Sequence, residues 1–319
     1  MRVALLDDYQ DVALRLVDWS ALGPESEVVA LHEHIADKDA LVSALAGFDV
    51  VMAMRERTAF PRDVLERLPD LRLIVTAGMG NRVIDVDAAR ELGKTVCGTR
   101  VHGRGTAELT WGLIISLLRN IPREHAAVLD GKWQVSLGVP LEGSVLGVIG
   151  LGNLGSAVAR VANAFDMEVL AWSENLTADR ATATGATLVS KDELLRRADV
   201  VTVHQVLSRR TRGLLGAAEL ALMKPTAYLV NTSRGPIVDE LALAEALREG
   251  RIAGAGLDVF DVEPLPADHP FRQLDNILLT PHIGYVTRDT YSLWYGDAIE
   301  DIRAFYAGTP VRELGGRPA

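Results

Sequence analysis

Short runs of aliphatic and β-branched residues alternate along the chain with segments whose apolar residues recur at helical spacing. In the first hundred residues the runs are VALL, EVVALH, VVMAM, LRLIVTAG and TVCGT, and segments such as DVALRLVDWSAL, DALVSALAG and RDVLERL separate them. Alternation of this kind is typical of parallel sheets whose strands are joined by right-handed helical crossovers. The pattern therefore predicts about five strands and an α/β fold class.

A second alternating series begins at SVLGVIG and continues through EVLAWS, ATLVS, DVVTVHQ, TAYLVNTS, IAGAGLDVF and NILLT. Helical segments such as SAVARVANAFDM and DELALAEALREG lie between most of these runs. Residues 288–307 predict a last helix that has no further strand to partner it in this series. We expect that helix to return to the first domain, with short hinges near 99–104 and 285–290.

Residues 106–121 predict a long helix that is apolar around most of its circumference, and Pro122 should bend or end it. A helix this apolar needs cover on several sides. It is therefore a candidate for contact between domains or subunits, with an ordinary core helix as the alternative.

Composition narrows the class of protein. The chain has 319 residues, 48% of them hydrophobic, and this length favours two domains. Its formal net charge of -10 repels phosphate backbones and anionic lipid, so we expect neither nucleic acid nor membrane partners.

The single cysteine, Cys97, excludes an intramolecular disulfide, and the apolar run in the opening MRVALLDDY is too short for a signal sequence. A cytoplasmic protein is the expectation.

The motif Gly150-Leu-Gly152-Asn-Leu-Gly155 stands between a predicted strand and a predicted helix. In a dinucleotide site the first glycine makes the tight turn, the second lets the backbone approach the pyrophosphate, and the third lets the helix pack on the strand. The amides at the helix start, near Asn153 and Leu154, would then meet the phosphate charge. This context predicts a nicotinamide dinucleotide site.

An acidic residue about 20 positions after such a motif binds the hydroxyls of the adenosine ribose. Here Ser173 ends the strand EVLAWS and Glu174 follows it. Glu174 would repel a 2'-phosphate, which favours NAD. Ser173 would tolerate a 2'-phosphate and Arg180 could turn toward one, so NADP remains an alternative cofactor. A role for Glu174 in a solvated loop also remains an alternative.

Three polar residues close apolar runs in the last third of the chain: Arg234, Glu263 and His282. A planar cation can hold a carboxylate, and an imidazole beside a carboxylate can move one proton. Their placement points to an active site for an acid substrate. The alternatives are a salt-bridge anchor for Arg234, a surface turn acid for Glu263 and a core histidine for His282.

The motifs GLGNLG, VHQVLSRRTRGLL, NTSRGPIVDE, GAGLDVFDVEP and LLTPHIG follow one another in the order found in one known family. Together they resemble the D-isomer-specific 2-hydroxyacid dehydrogenases. TAGMGNRVIDVDAA and TAELTWGLI resemble the N-terminal domain and interdomain helix of that family. The resemblance implies a Rossmann-like NAD-binding domain, residues 101–288, inserted into a flavodoxin-like substrate domain, residues 1–100 plus 289–319. It also implies a homodimer built around the long helix.

The resemblance further implies an oxidoreductase that transfers a hydride between a nicotinamide cofactor and a D-2-hydroxy acid or 2-keto acid. Arg234 would hold the substrate carboxylate and the carbonyl oxygen, and His282 would act as the acid and base. Glu263 would orient His282 and favour its protonated form. The alternative function is a dinucleotide-sensing, corepressor-like interaction protein on the same scaffold.

Other positions carry over from the family more weakly. Asp258 matches an acid that contacts the nicotinamide amide, with capping or loop bonding as the alternative. Gln205 and Thr232 match positions that line the cofactor, largely through backbone atoms. Gly78 and Met79 match a loop whose amides receive the substrate carboxylate, and Arg55 is a further substrate-binding candidate.

Two positions depart from the family pattern, and one pair of histidines raises the question of a metal. Ser173 stands where the family has its strand-end aspartate, and Gly80 stands where many relatives have a larger residue. His32 and His34 have strand spacing, but the sequence shows no third ligand nearby. We expect no metal site.

Overall fold

The computed structural model describes residues 1–101, 103 and 105–315. The chain divides into two compact units, Met1–Gly103 with Thr287–Ala319, and Arg104–Val286. The domain limits drawn from the sequence are residues 1–100 with 289–319 and residues 101–288. They lie within three residues of these units and stay a prediction. The expected hinge near 99–104 falls partly on His102 and Arg104, which lie outside the described residues.

The first unit is built on a five-stranded parallel sheet with strand order β2-β1-β3-β4-β5. This is the strand order of flavodoxin-like folds. Its strands are β1 Arg2–Leu5, β2 Glu27–Ala30, β3 Val50–Ala53, β4 Leu73–Thr76 and β5 Thr95–Gly98. β3 and β4 are buried along their whole length, because helices cover both faces of such a sheet.

The helices of the first unit are α1 Ala13–Leu16, α2 Lys38–Ala44, α3 Arg62–Leu65, α4 Val86–Glu91 and the last helix, α12 Arg288–Tyr306. The segment DVALRLVDWSAL forms only α1 and a separate 3₁₀ turn, Trp19–Leu22, so the single helix predicted there is wrong. Asp8 accepts from the amides of Val12 and Ala13, and Asp18 accepts from the amide of Ser20. These short acceptors cap two separate starts and divide the segment.

The second unit is built on a seven-stranded parallel sheet with order β12-β11-β10-β9-β6-β7-β8. Its strands are β6 Val145–Ile149, β7 Glu168–Trp172, β8 Thr187–Leu188, β9 Val200–Val203, β10 Tyr228–Asn231, β11 Gly254–Leu257 and β12 Ile277–Leu279. The order reverses at β6, as in a Rossmann fold. Alternate side chains of β6 enter different cores, Val148 on one face and Ile149 on the other. The predicted α/β class with two parallel sheets is confirmed.

The helices of the second unit are α5 Gly105–Leu118, α6 Ile121–Leu129, α7 Asn153–Ala164, α8 Ala178–Thr182, α9 Lys191–Arg197, α10 Ala217–Leu220 and α11 Glu240–Arg248. Short 3₁₀ turns lie at Gly235–Ile237 and Pro270–Gln273. Asn120 adopts a left-handed conformation between α5 and α6, and Pro122 lies in the first turn of α6. The predicted break near Pro122 is confirmed, but α5 ends at Leu118 and not at residue 121, because Asn120 separates it from a new helix whose first turn accommodates the proline.

Along the part of the chain that the structure describes, no helix combines the length and the apolar character needed to cross a bilayer.

Candidate active site

The turn between β6 and α7 depends on two glycines that have no room for a side chain. Gly150 has φ +102°, and a Cβ there would lie 2.5 Å from the carbonyl oxygen of His204. A Cβ on Gly155 would overlap the carbonyl oxygen of Gly150. The turn therefore brings α7 against β6 through direct backbone contact, as expected from the first and third glycines of the motif.

Gly152 differs from these two glycines because open space surrounds the position of its missing side chain. No heavy atom of the described chain outside its own neighbours lies within 4 Å of a Cβ built there. α7 begins at Asn153 without a side-chain cap, and the first helical amide bond is donated by Ser156 to Gly152. The amides of Asn153 and Leu154 are thus positioned at a helix start with room for a pyrophosphate, so the residues fit the cofactor.

Ser173 and Glu174 follow β7, the strand that pairs with β6 beside this turn. Trp172 pairs with Ile149 in the parallel register, and its carbonyl accepts from the amide of Gly150 at 2.8 Å. Ser173 is half-buried, whereas Glu174 is exposed. Both residues lie at the strand end where an adenosine ribose binds in this fold. Their position agrees with the predicted role in binding the ribose, which stays a prediction.

His204 forms the wall of the turn, although the sequence reasoning did not single it out. Its carbonyl approaches Gly150, and its Nε2 lies 2.9 Å from the hydroxyl oxygen of Thr202. Burial lowers the pKa of His204 to about 4, so the ring is neutral at physiological pH. The following residue, Gln205, is half-buried beside Gly150, consistent with a contact made through its backbone.

The best-defined chemical contact joins His282 and Glu263. Nδ1 of His282 lies 2.6 Å from Oε2 of Glu263, and the second carboxylate oxygen accepts from the amide of Phe260 at 2.9 Å. Both side chains are mostly buried, at 16% and 26% exposed. With Nδ1–H donating to the carboxylate, Nε2 is the ring atom left for proton exchange.

His282 has φ +53°, a left-handed conformation that few non-glycine residues adopt. The loop that imposes it is tied to Asp258, at the end of β11. One oxygen of Asp258 accepts from the Thr280 hydroxyl and the Ile283 amide at 2.7 and 2.8 Å, and the other accepts from the Gly284 amide at 2.9 Å. Burial raises the pKa of Asp258.

The Asp258 carboxylate is therefore committed to the loop that carries His282. This corresponds to the loop-bonding alternative considered for the residue. The sequence pattern could not distinguish this arrangement from a contact with the nicotinamide amide, because its partners lie more than 20 positions further along the chain.

Arg234 begins the 3₁₀ turn after β10, where local hydrogen bonds fix its backbone. Asn231 donates through its side chain to the carbonyl of Arg234 at 2.9 Å, and Ser233 donates to the carbonyl of Val203. The guanidinium is half-buried and donates to the carbonyl of Ser233. A Cβ on Gly235 would overlap the carbonyl of Phe260, so the turn packs directly against the loop that holds Glu263.

Thr232 is buried, and its hydroxyl lies 2.9 Å from the hydroxyl of Thr110 in α5. Its side chain thus holds helix and strand together. Any cofactor contact at Thr232 would use the backbone, as expected.

The substrate candidates of the first unit follow β3 and β4. Arg55 packs against Gly78 and donates to the carbonyl of Ala77. The amide of Gly78 donates to the Thr99 hydroxyl at 2.8 Å, and the substrate role of the loop at Gly78 stays a prediction. Met79 is half exposed and stays a prediction.

His32 has two acidic neighbours in the structure, and His34 is not part of that group. Asp8, Asp11 and His32 place one ligand atom each within 4.8 Å of one another. Both oxygens of Asp8 already accept backbone amides, whereas His34 pairs with Asp7 instead. The cluster is a set of internal contacts, and it provides no argument for a metal.

Comparison with known proteins agrees with this geometry. Residues 111–284 match the family model of the D-isomer specific 2-hydroxyacid dehydrogenase NAD binding domain. A glyoxylate reductase of Aeropyrum pernix is 40% identical over 256 residues, which are 77% of this chain and 76% of that protein. A crystal structure of a putative D-3-phosphoglycerate dehydrogenase from Ralstonia solanacearum has 35% identity and a TM-score of 0.93, and covers 98% of this chain and 96% of that one.

A D-3-phosphoglycerate dehydrogenase of Methanocaldococcus jannaschii is 41% identical over 256 residues, which are 79% of this chain. The matched part is 48% of that protein, so the chain spans about half the length of this relative. The family model matches more than half of the chain, and the glyoxylate reductase is matched over three quarters of its length. The chain therefore belongs to the D-isomer-specific 2-hydroxyacid dehydrogenases, an NAD-binding oxidoreductase family that transfers hydride between nicotinamide and 2-hydroxy acids.

Proposed function

We propose that this protein reduces a small 2-keto acid to the D-2-hydroxy acid, and catalyses the reverse oxidation, with His282 as the acid and base. The observation that carries this proposal is the 2.6 Å contact between His282 and Glu263 in the NAD-binding unit. A bound nicotinamide supplies or accepts the hydride. The protein must supply the proton, the charge for the developing alkoxide and the orientation of the acid.

The proton path follows from which ring nitrogen is occupied. Reduction adds a hydride to the keto carbon and one proton to the carbonyl oxygen. Nδ1 of His282 donates to Glu263, so Nε2 delivers the proton and regains it in the reverse direction. The Glu263 carboxylate stabilises the imidazolium and fixes the ring, and the Phe260 amide fixes the carboxylate.

Arg234 is proposed to hold the substrate carboxylate and the carbonyl oxygen. Its planar guanidinium suits a carboxylate bidentately, and its charge would stabilise the alkoxide that forms on hydride transfer. The fixed backbone of the Asn231–Arg234 segment supports this role, because a clamp must hold its geometry before substrate arrives. Arg55, Gly78 and Met79 remain proposed substrate contacts.

A panel of 2-keto acids, including glyoxylate and hydroxypyruvate, assayed with NADH and NADPH in parallel, tests the activity. We expect turnover with at least one keto acid and preference for NADH, because Glu174 would repel a 2'-phosphate. Binding of NADH without oxidation by any member of the panel would contradict the proposal. Preference for NADPH would overturn the cofactor assignment alone.

Arg234→Gln tests the clamp. Loss of one fixed cation should lower kcat/KM for the keto acid by about 10²–10³-fold, with the dissociation constant of NADH unchanged. Arg248→Gln is the matched control, because Arg248 is exposed at the end of α11. Equal activity of the two variants would remove Arg234 from the mechanism.

We also propose a homodimer that uses the surface around α6 and the loop after it. Trp133 is 78% exposed and Leu137 is 96% exposed, and Val128 and Leu129 at the end of α6 are 52% and 76% exposed. Several large apolar side chains exposed within one short segment favour association. Analytical ultracentrifugation should find a dimer, and Leu137→Asp should shift it to monomer. A monomeric wild-type protein would contradict the proposal.

A cytoplasmic protein without nucleic acid or membrane partners completes the proposal. Its support is the net charge of -10 and the buried thiol of Cys97, whose pKa burial raises to about 12. Cell fractionation and binding assays with DNA and anionic vesicles test it. The corepressor-like alternative gains no support from the relatives, which are named as dehydrogenases and reductases.

A further inference from the structure

Glu240 lies in the first turn of α11, outside the set of residues assigned to the reaction. Its side chain is only 12% exposed, and both carboxylate oxygens have partners. Oε1 accepts from the amide of Asp261 at 2.8 Å, and Oε2 faces Nε2 of His269 at 3.2 Å. A mostly buried carboxylate with two directed contacts fixes the groups around it.

The hydrogen bonds of His269 define its tautomer. Nδ1 accepts from the amide of Phe271 at 3.3 Å, so the proton lies on Nε2 and is donated to Glu240. Phe271 is fully buried in the core of the second unit, and its ring contacts the His269 ring with centroids 4.7 Å apart. Glu240 is thus anchored to the core through His269 without any need for a charged imidazole.

The peptide between Phe260 and Asp261 is anchored by Glu240 and adjoins the peptide that carries the Phe260 amide. Its Asp261 amide donates to Glu240, while the Phe260 amide donates to Glu263. The backbone of Gly235, next to Arg234, packs so closely on this peptide that a Cβ would overlap it. Phe260 therefore links the two supports, because its own amide holds Glu263 and the peptide after it contacts Glu240 and the turn beside Arg234.

We infer that Glu240 and His269 are positioning residues for the candidate active site: they fix the Phe260–Asp261 peptide, and through it the adjoining Phe260 amide that holds Glu263 and the turn beside Arg234. This inference rests on the proposed function. The competing explanation is that the pair only stabilises the loop that follows β11. Arg272 provides a comparison, because it donates to the carbonyls of Leu265 and Pro266 and so stabilises the same loop at a different point.

The test compares Glu240→Ala, His269→Phe and His269→Gln with wild type, using the keto acid that wild type reduces best. Displacement of a reacting group by a fraction of an ångström to 1 Å costs up to about 10²-fold, so we expect kcat to fall about tenfold or more in Glu240→Ala and His269→Phe. The NADH dissociation constant should not change. His269→Gln should recover most of the loss, because its amide can both donate to Glu240 and accept from Phe271.

Arg272→Ala is the matched control, and thermal melting is recorded for every variant. A purely structural role predicts that kcat follows the loss of stability equally in Arg272→Ala and Glu240→Ala, and that result would overturn the inference. Failure of His269→Gln to recover activity while it melts like wild type would also overturn it. Glu245→Ala, on the exposed side of α11, should behave as wild type.

A crystal structure of Glu240→Ala separates this inference from the proposed function, since it requires no turnover. We expect the distance between Glu263 Oε2 and His282 Nδ1 to lengthen from 2.6 Å beyond about 3.2 Å, the limit of a good hydrogen bond. An unchanged distance would overturn the positioning role even if the enzyme is active. A lengthened distance in a protein without keto acid reductase activity would keep the positioning role and reject the proposed function.

Discussion

The dinucleotide turn and the Glu263–His282 pair belong to the same unit but perform their roles in opposite ways. The turn presents backbone amides and open space, and its side chains at Asn153 and Leu154 are exposed. The pair presents two side chains whose contacting atoms lie 2.6 Å apart. Adding a single methyl group at a glycine should disrupt the turn. Disrupting the pair requires the removal of the imidazole or the carboxylate.

The two sites also differ in the range of the contacts that build them. The turn itself spans six residues, and its closest neighbours are the ends of two adjacent strands, at Trp172 and His204. The pair joins residues 19 positions apart and depends on Asp258 and on contacts that reach α11, with only the Phe260 amide close to Glu263 along the chain. A site formed by residues close together in the sequence can be predicted from a short motif. A site formed by long-range contacts cannot.

Removal of the imidazole is expected to have the largest effect. His282→Ala should lower kcat/KM for the keto acid by about 10²–10⁴-fold, because it removes the proposed acid and base. NADH titration followed by fluorescence should give the wild-type dissociation constant, since the turn is untouched. Full activity in this variant would exclude His282 as the acid and base.

Neutralising the partner carboxylate is expected to have the next largest effect. Glu263→Gln retains an acceptor for the Phe260 amide but loses the charge that stabilises the imidazolium. A hydrogen bond to a charged group contributes about 1.5–3 kcal/mol, so kcat should fall by about ten- to a hundredfold. A kcat within twofold of wild type would show that orientation, and not charge, is what Glu263 provides.

A pair of glycine variants tests whether the turn responds to added atoms as its geometry predicts. Gly155→Ala should destabilise the unit by about 1–3 kcal/mol, because its Cβ overlaps the Gly150 carbonyl. Gly152→Ala should melt like wild type and bind NADH more weakly, because its methyl group occupies only open space. Urea unfolding and NADH titration of both variants measure the contrast. Equal stability with equal NADH affinity would reject the assignment of the two roles.

The smallest effect at neutral pH should come from His204, the wall of the turn. Burial lowers its pKa from 6.5 to about 4 in the folded protein, so the folded state binds fewer protons than the unfolded state between these values. Stability is present above pH 6.5 and is lost as the pH falls toward 4, with about 2 kcal/mol lost by pH 5 as an upper limit.

Urea unfolding at several pH values checks this dependence. His204→Gln should flatten it, whereas His125→Gln, on the exposed side of α6, should leave it unchanged. If the free energy of unfolding of His204→Gln still fell with pH as in wild type, groups other than His204 would be responsible for the pH dependence.

The sequence predicted those features that arise from local pattern. Hydrophobic alternation indicated both parallel sheets, Pro122 marked the end of α5, and glycine spacing identified the turn at Gly150. The contact between Glu263 and His282 was expected from the family resemblance, and the structure places the two residues together. Their catalytic roles remain a proposal.

Features that depend on contacts between distant residues were missed. The Gly78 amide is taken by Thr99, 21 positions away, and Glu240 reaches His269 across 29 positions. No periodicity or short motif records such pairs. The division of the first predicted helix was missed for a local reason, because aspartate acceptors at Asp8 and Asp18 outweighed a favourable apolar pattern.

The left-handed backbone of His282 has a consequence for substrate affinity. A residue held in a rarely populated conformation by Asp258 and its partners has few alternative orientations to lose when substrate arrives. The loss of conformational entropy that comes with orienting the proposed proton donor then occurs during folding. It does not recur each time a substrate binds. Binding free energy from a substrate of only a few atoms can go instead toward desolvating its carboxylate, which is where a small acid has the most to overcome.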